Sequence, residues 1–341
     1  MAGQSDEAAM KKPTISDLAQ AAGVSKTTVS HAFSGRRHVD PETRERIEKI
    51  AQEIGYRPNR AAQHLRTGRT GMIALASSMP FSVAAGPSRL GFLMEIAATA
   101  AVASLTRNMA LCLIPPFQSG AQLDAITPDG VILVEPFQDD PLVQHFTGLG
   151  VPVVSIGRVP GREDIPHVDL NSGATARMVL EHLRASGASR IGLVTGEQRR
   201  NSYLETEAAY RLFCDETGIE PACLQLDESG GEDLASEAVA DLLSRRGDLD
   251  ALYVPVDAFA SGAVTAAAAI GLKIPRNIRL ATRYDGLRAK LSQPPLTAVE
   301  LHLEAIADQA VGLLMSAIDG GIAKPVSAPQ PELVLRVSTA S

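Results

Sequence analysis

Only three cysteines stand in a chain of 341 residues, at 112, 214 and 223, an odd and widely spaced set. That excludes a disulfide framework and points to reduced thiols that act as small buried hydrophobes in a cytoplasmic protein. Long apolar runs are missing too. Stretches such as "AVTAAAAIGL" are too short and too alanine-rich to span a bilayer, so no membrane partner is expected. The amino-terminal "MAGQSDEAAMKKP" has no apolar h-region, so no secretory signal is expected. The marks of enzymes are equally scarce. GxSxG, HExxH and a Walker sequence are absent, and "VTGEQR" and "GVILVEP" lack a glycine-rich phosphate fingerprint. The seven histidines, at 31, 38, 64, 145, 167, 182 and 302, are scattered without metal-ligand spacing. Asp139 and Asp140 are adjacent and read as the cap of a following helix rather than a catalytic pair. No enzymatic activity, cofactor or metal is expected. Tryptophan is absent, but 45% hydrophobic and 21% charged residues describe an ordinary soluble α/β protein, long enough for two or three domains.

What is present is unevenly spread. Residues 1–70 carry 12 Lys and Arg against 8 Asp and Glu, whereas residues 71–341 carry 20 against 31. A basic head on an acidic body points to a polyanionic partner for the head alone. Residues 1–12 are polar and patternless, a disordered tail. In 13–57, three short helices can be read. Thr14 and Asp17 form a capping box ahead of Ile15, Leu18, Ala19 and Ala22, which fall on one helical face. Gly23 ends that helix. Ser25 caps a second, whose inner side is Val29, Ala32 and Phe33. Asp40 and Pro41 open a third, striped by Ile47, Ile50, Ala51 and Ile54 and closed by Gly55.

Two helices joined by a tight turn, with a third behind, describe a helix-turn-helix, whose second helix enters the DNA major groove. Lys26, Thr27, Thr28, Ser30 and His31 then stay out of the core because they face DNA. Lys26 suits guanine O6 and N7, and Thr27 a base edge or a thymine methyl. Ser25, Thr28, Ser30 and the helix start at Thr14 suit phosphate oxygens. The competing reading is a solvated three-helix bundle. Residues 58–70 read as a hinge helix and linker. Ala61, Ala62 and Leu65 share one side, and Asn59, Arg57, Arg60, Arg66 and Arg69 surround it. A segment this short needs a partner helix. Its leucine suits insertion between base steps of the minor groove; the competing reading is a plain basic linker.

"TISDLAQAAGVSKTTVSHAFSG" and "VDPETRERIEKIAQEIGYRPNRAAQHLRTGRTGMIAL" resemble the LacI/GalR family of bacterial transcription regulators, densely over residues 13–75. The resemblance implies a homodimer on pseudopalindromic double-stranded operator DNA, most simply a repressor. It places Lys26, Thr27 and His31 where family members read bases, Leu65 on the minor-groove leucine and Arg66 just after it. Lys26 and His31 differ from the commonest members, so the operator sequence does not carry over.

From residue 71 the pattern changes. Apolar runs "GMIALAS", "MALCLIPP", "GVILVEP", "VPVVSIG", "RIGLVTG", "PACLQL", "ALYVPV" and "IRLATRYD" alternate with helical stretches at 90–107, 173–186, 203–217, 231–245, 259–271 and 302–318. Such alternation implies parallel sheets covered on both faces, and some 270 residues imply two doubly wound lobes. Ligands of such folds sit beyond the carboxyl ends of the strands. The candidates there are Phe81, Arg89, Arg158, Asp257, Arg283 and Asp285. Each is equally readable as a surface charge or a lobe-to-lobe ion pair. The looser resemblance of "GVPVVSIGR", "HVDLNSGATARMVLEHLRASGASRIGLVTG" and "PPLTAVELHLEAIADQAVGLL" implies an effector domain similar to periplasmic sugar-binding proteins, over 71–341. It places Asp257 and Asp285 near acidic positions that grip sugar hydroxyls, and Arg158 on a recurrent arginine. Two positions depart from the family: Thr206 stands where an arginine is usual, and Val256 where an asparagine is. Arg199, Arg200, Asn201 or Tyr203 could substitute from the loop; the two departures count against a plain sugar pocket, and the gathered Arg158, Arg199, Arg200 and Arg283 suit an anionic ligand such as a sugar acid or sugar phosphate. The expected protein is therefore a cytoplasmic regulator switched by a small molecule between two lobes. The alternative is a sugar-binding or sugar-modifying protein in which the head is an accessory. Release and recruitment by the effector are both compatible with the sequence.

Overall fold

The computed structural model describes residues 13–34, 37–57, 68–84, 91–115, 123 and 125–340. The expected tail (1–12) and nearly all of the hinge segment (58–67) lie outside these residues, as does Arg89. The chain divides into two compact units, 1–70 and 71–341.

The small unit contains α1 (Ile15–Ala22), α2 (Lys26–Ser34) and α3 (Pro41–Ile54). Each begins at a side-chain cap. Asp17 N–H reaches Thr14 Oγ1, Thr28 N–H reaches Ser25 Oγ, and Thr43 N–H reaches Asp40 Oδ2. α1 and α3 end at Gly23 and Gly55, both in the left-handed region at φ +64° and +70°. The core is small and wholly apolar: Leu18, Ala19, Ala22, Val29, Ala32, Ile47 and Ala51, with Phe33, Ile50 and Ile54 half-buried around it.

The large unit holds two parallel sheets. The first lobe contains β1 (Met72–Ala76), β2 (Ala110–Ile114), β3 (Gly130–Val134), β4 (Val153–Ile156), β5 (His167–Asp169) and, from far along the chain, β11 (Val326–Ser327). Their order is β11-β5-β4-β3-β1-β2, every neighbour parallel. The second lobe orders β7 (Cys223–Leu226), β6 (Ile191–Gly196), β8 (Ala251–Tyr253) and β9 (Arg279–Ala281) as β7-β6-β8-β9, again parallel. All eight expected strands and six expected helices are present. The strands that sequence reading passes over, β5, β10 (Ala298–Glu300), β11 and β12 (Glu332–Val334), have only two or three residues.

The chain passes between the lobes after β5, after β10 and again after β11, so the helix Leu303–Ile318 returns to pack on β3, β4 and the helix Phe92–Thr106 of the first lobe. Gly130 allows this approach, since a Cβ there would lie 2.8 Å from Leu314 Cδ1. In each lobe the strand order reverses next to one strand, β1 in the first and β6 in the second. The crevice at the carboxyl end of such a reversal is where doubly wound folds bind ligands. Among the cysteines only Cys214 is buried. Cys223 opens the edge strand β7 and is exposed, which corrects the expectation of three buried thiols.

Candidate functional site

In the small unit, burying Val29 and Ala32 turns the rest of α2 outward. Ser25, Lys26 and Thr27 are exposed, and Thr28, Ser30 and His31 are half-buried at the rim of the core. The Ser25 and Thr28 hydroxyls share one hydrogen bond at 2.8 Å. Two hydroxyls in one bond leave one O–H to donate to an incoming phosphate. Thr14 differs. Its N–H and O–H both donate to Asp17 Oδ2, at 2.7 and 2.8 Å, so it has no donor to spare and its work is to start α1. Asn59, Ala62, Leu65 and Arg66 lie outside the described residues.

In the large unit the strand-end loops of both lobes converge on one cavity. It is lined by Met79, Val83, Ala84, Phe92 and Glu135 from the first lobe and by Tyr203, Pro255, Val256, Asp257, Arg283 and Tyr284 from the second. The wall is mostly apolar, and the polar groups in it are already committed. Arg283 Nη2 donates to Glu135 Oε1 at 2.7 Å, and its guanidinium lies 5.8 Å from the Phe92 ring centre. The Tyr284 hydroxyl donates to Glu95, and Tyr203 donates to Glu228 Oε1 at 2.7 Å. Burial and the Glu228 carboxylate push the Tyr203 phenol well above its usual range, so it stays a protonated donor.

Behind the cavity lies Arg200, fully buried. It pairs bidentately with Glu228, Nε to Oε1 and Nη2 to Oε2, both at 2.7 Å. Its Nη1 reaches Ser78 Oγ at 3.2 Å and the Glu135 carbonyl, both of the first lobe. Burial works against its charge, and Glu228, Tyr203 and Glu135 more than offset that, so its pKa stands above the usual guanidinium value. Two wall groups keep a buried polar atom without a hydrogen bond among the described residues, Arg283 at its Nε and Asp257 at one carboxylate oxygen. The other Asp257 oxygen accepts the Ala258 N–H at 2.8 Å, and the Arg288 Nε is 3.9 Å from the unbonded one. Burial raises the Asp257 pKa to about 6.

Of the residues expected at the cleft, Tyr203, Asp257 and Arg283 line the cavity, and Phe81, Arg158 and Asp285 do not. Phe81 opens the short helix Phe81–Ala84 and is 51% exposed; Val83 and Ala84, later in that turn, face the cavity instead. Arg158 pairs with Asp169 within its own lobe, because the ends of the neighbouring strands β4 and β5 bring them together. Asp285 is claimed by Arg336 Nη1 at 2.5 Å and Lys290 at 3.5 Å, one residue past the side chain that faces the cavity, Tyr284. Arg199 donates to Gln138 Oε1 at 2.6 Å and does not line the cavity. Thr206, at the position where the family resemblance implies an arginine, is fully buried, with no hydrogen-bond partner for its hydroxyl among the described residues. Sequence reading missed Glu135, Met79 and Tyr284. Each lies near or just after the carboxyl end of a run read as a strand, so the strand-end rule that selected Arg283 reaches them too.

Residues 14–59 match the family of bacterial regulatory proteins named for lacI, and residues 180–339 match a periplasmic binding protein-like domain. The HTH-type transcriptional regulator CelR of Thermobifida fusca is 30% identical across 93% of this chain and 95% of its own length. AglR of Rhizobium meliloti is 30% identical across 95% of this chain and 94% of its own. The chain belongs to the LacI family. Among solved structures, a CelR–cellobiose complex is 28% identical with a TM-score of 0.69, covering 96% of this chain and all of that one. A lac repressor dimer on operator shares the fold at TM-score 0.77 and 24% identity. As a LacI-family member the protein is a transcriptional regulator rather than an enzyme. The likeness runs through head and body together, which sets aside the reading of the head as an accessory. No helix among the described residues is long and apolar enough to cross a membrane.

Proposed function

We infer that this regulator is a cytoplasmic repressor that binds pseudopalindromic operator DNA as a homodimer and answers to a neutral, hydroxyl-rich effector of the sugar class in the cleft between its lobes. Lys26, Thr27 and His31 read base edges. Ser25, Thr28 and Ser30 hold phosphates, with the Thr14 helix start beside them. Asn59, Ala62, Leu65 and Arg66 act as a hinge that folds on the minor groove. Phosphate neutralisation by the head gives each contact a salt-sensitive base, and pairing two heads gives specificity. The effector changes the angle between lobes and so operator affinity, with a coupling on the order of 1–3 kcal/mol.

The observation that carries the effector class is the state of the cavity charges. Arg283, Arg200 and Arg158 are each paired with a carboxylate of this chain, and Arg199 is bonded to Gln138. Among the described residues two polar atoms of the wall lack a hydrogen-bond partner, the Arg283 Nε donor and a carboxylate oxygen of Asp257, and a ligand hydroxyl, which both accepts and donates, can answer either. This favours a neutral sugar over the sugar acid or sugar phosphate that the arginine count alone would permit. The cellobiose bound by the related regulator belongs to that class.

The test is selection of preferred duplexes from random DNA by the purified full-length chain. Anisotropy titrations of the selected duplex then follow, with and without cellobiose and other neutral oligosaccharides. The expected result is a palindromic site whose affinity at least one such sugar shifts. A chain that shows no duplex preference at moderate salt overturns the DNA reading. Tight calorimetric binding of sugar phosphates or uronates, with every neutral sugar silent, overturns the effector class.

A further inference from the structure

Glu135 and Arg283 are 148 residues apart in sequence and meet across the cleft. Glu135 follows β3 in the first lobe, and Arg283 follows β9 in the second. Their side chains are 3% and 7% exposed, and their ion pair is 2.7 Å long. The second carboxylate oxygen of Glu135 accepts from the Ser202 hydroxyl, again in the second lobe. Its carbonyl accepts from Arg200. Among the described residues its side chain thus bonds only across the cleft, although the residue belongs to the first lobe. The backbone that aims it there is left-handed, φ +49°, pinned by its N–H on the Ile156 carbonyl at 2.8 Å. Such a conformation in a non-glycine residue persists when its surroundings over-determine it.

The cavity beside the pair has a volume of about 40 Å³, room for a few waters. A sugar ring enters only if the lobes part, and parting them breaks the pair. We propose that Glu135 is a built-in counter-ion of the cleft: it holds the lobes shut through Arg283 and keeps anionic molecules off that guanidinium, so that an effector enters by prising the pair apart. The physical reason is asymmetric. With Glu135 in place, Arg283 is buried and neutralised. Without that charge, Arg283 is buried and unpaired, and opening the cleft lets water reach it with no need to unfold either lobe. The proposal rests on the cleft being the effector site, but the latch is tested with no effector at all.

The experiment uses the full-length chain with Cys112→Ser and Leu149→Cys. Nitroxides are placed on exposed Cys223 in the second lobe and on position 149, which is 59% exposed in the first. Labelled chain is diluted with unlabelled chain so that pulsed dipolar spectroscopy reads distances within one subunit. Glu135→Gln should move the distance distribution to longer values, with the short-distance population falling on the order of tenfold. The exchange Glu135→Arg with Arg283→Glu should restore it. Ser202→Ala, which spares the ion pair, should give a smaller shift in the same direction and serves if the charge variants fold poorly. Unchanged distances in Glu135→Gln, or in Ser202→Ala where that variant stands in, overturn the latch. Calorimetry with glucose 6-phosphate and glucuronate tests the exclusion. Binding gained in Glu135→Gln and absent in the parent supports it, and equal uptake or equal silence overturns it. Either result leaves the neutral-sugar reading to its own titration.

Discussion

The small unit and the large unit put polar side chains to opposite use. In residues 13–57 the core is purely apolar, and the candidate recognition residues stand at or near the surface, held only by helix caps. In residues 71–341 the candidate recognition residues are buried and tied to one another: Arg200 to Glu228, Arg283 to Glu135, Tyr203 to Glu228. The difference fits the partners proposed above. A polyanion is met across a wet, salt-sensitive interface, where long mobile cations serve well. A small neutral molecule is met in a desolvated crevice, where each polar atom must be satisfied before the ligand arrives or be reserved for it.

The largest expected break of this contrast is at Arg200. Arg200→Ala leaves Glu228 buried and unpaired, and should cost the large unit about 3–5 kcal/mol, read as a fall in its urea midpoint. The double exchange Arg200→Met, Glu228→Leu should recover most of that. A single-variant loss under about 1 kcal/mol would show that the charge is not working buried. Asp257 comes next. Its folded pKa, about 6, stands above its ordinary value of 3.8. The folded state therefore holds the proton more tightly, and the contribution is complete below about pH 4 and lost as pH rises through 6. The size is about 3 kcal/mol. Asp257→Asn should flatten the stability profile between pH 4 and 6, as followed by thermal melts.

Two glycines sharpen the comparison at smaller scale. A Cβ on Gly262 would sit 2.5 Å from the Glu232 carbonyl, where the helices Gly231–Arg245 and Asp257–Ala269 cross. Gly262→Ala should cost about 1–3 kcal/mol by overpacking. Gly23 has nothing within 4 Å of its Cβ position, only a left-handed φ of +64°. Gly23→Ala should cost about 1–2 kcal/mol, from the backbone alone. Calorimetric melts of the two variants should separate the two causes, with only the first depending on a neighbour that Glu232 can or cannot move. The smallest effect on stability is Lys26→Ala, within about 0.5 kcal/mol. The same change should weaken DNA binding and lower the salt slope by about one. A stability loss larger than the binding loss would place Lys26 in the fold rather than on the face.

Much of the fold could be read before any coordinates. Helix caps, closing glycines and the alternation of apolar runs with helical stripes are local signals, and they located α1 to α3 and eight of the strands. The cleft was legible only by rule. Strand-end loops led to Asp257 and Arg283, which line the cavity, but the same rule admitted Arg158 and Asp285, which do not, because nothing local in "SIGR" or "RYDG" says which side chain points in. The sequence by itself determined where helices and strands form and which half of the chain carries the basic surface, since period, cap and charge act over a few residues. The tertiary structure alone decided that Glu135 would meet Arg283 across 148 residues and that Arg200 would be sealed against Glu228. Those meetings depend on how two sheets close on each other, a geometry that no short window of residues contains.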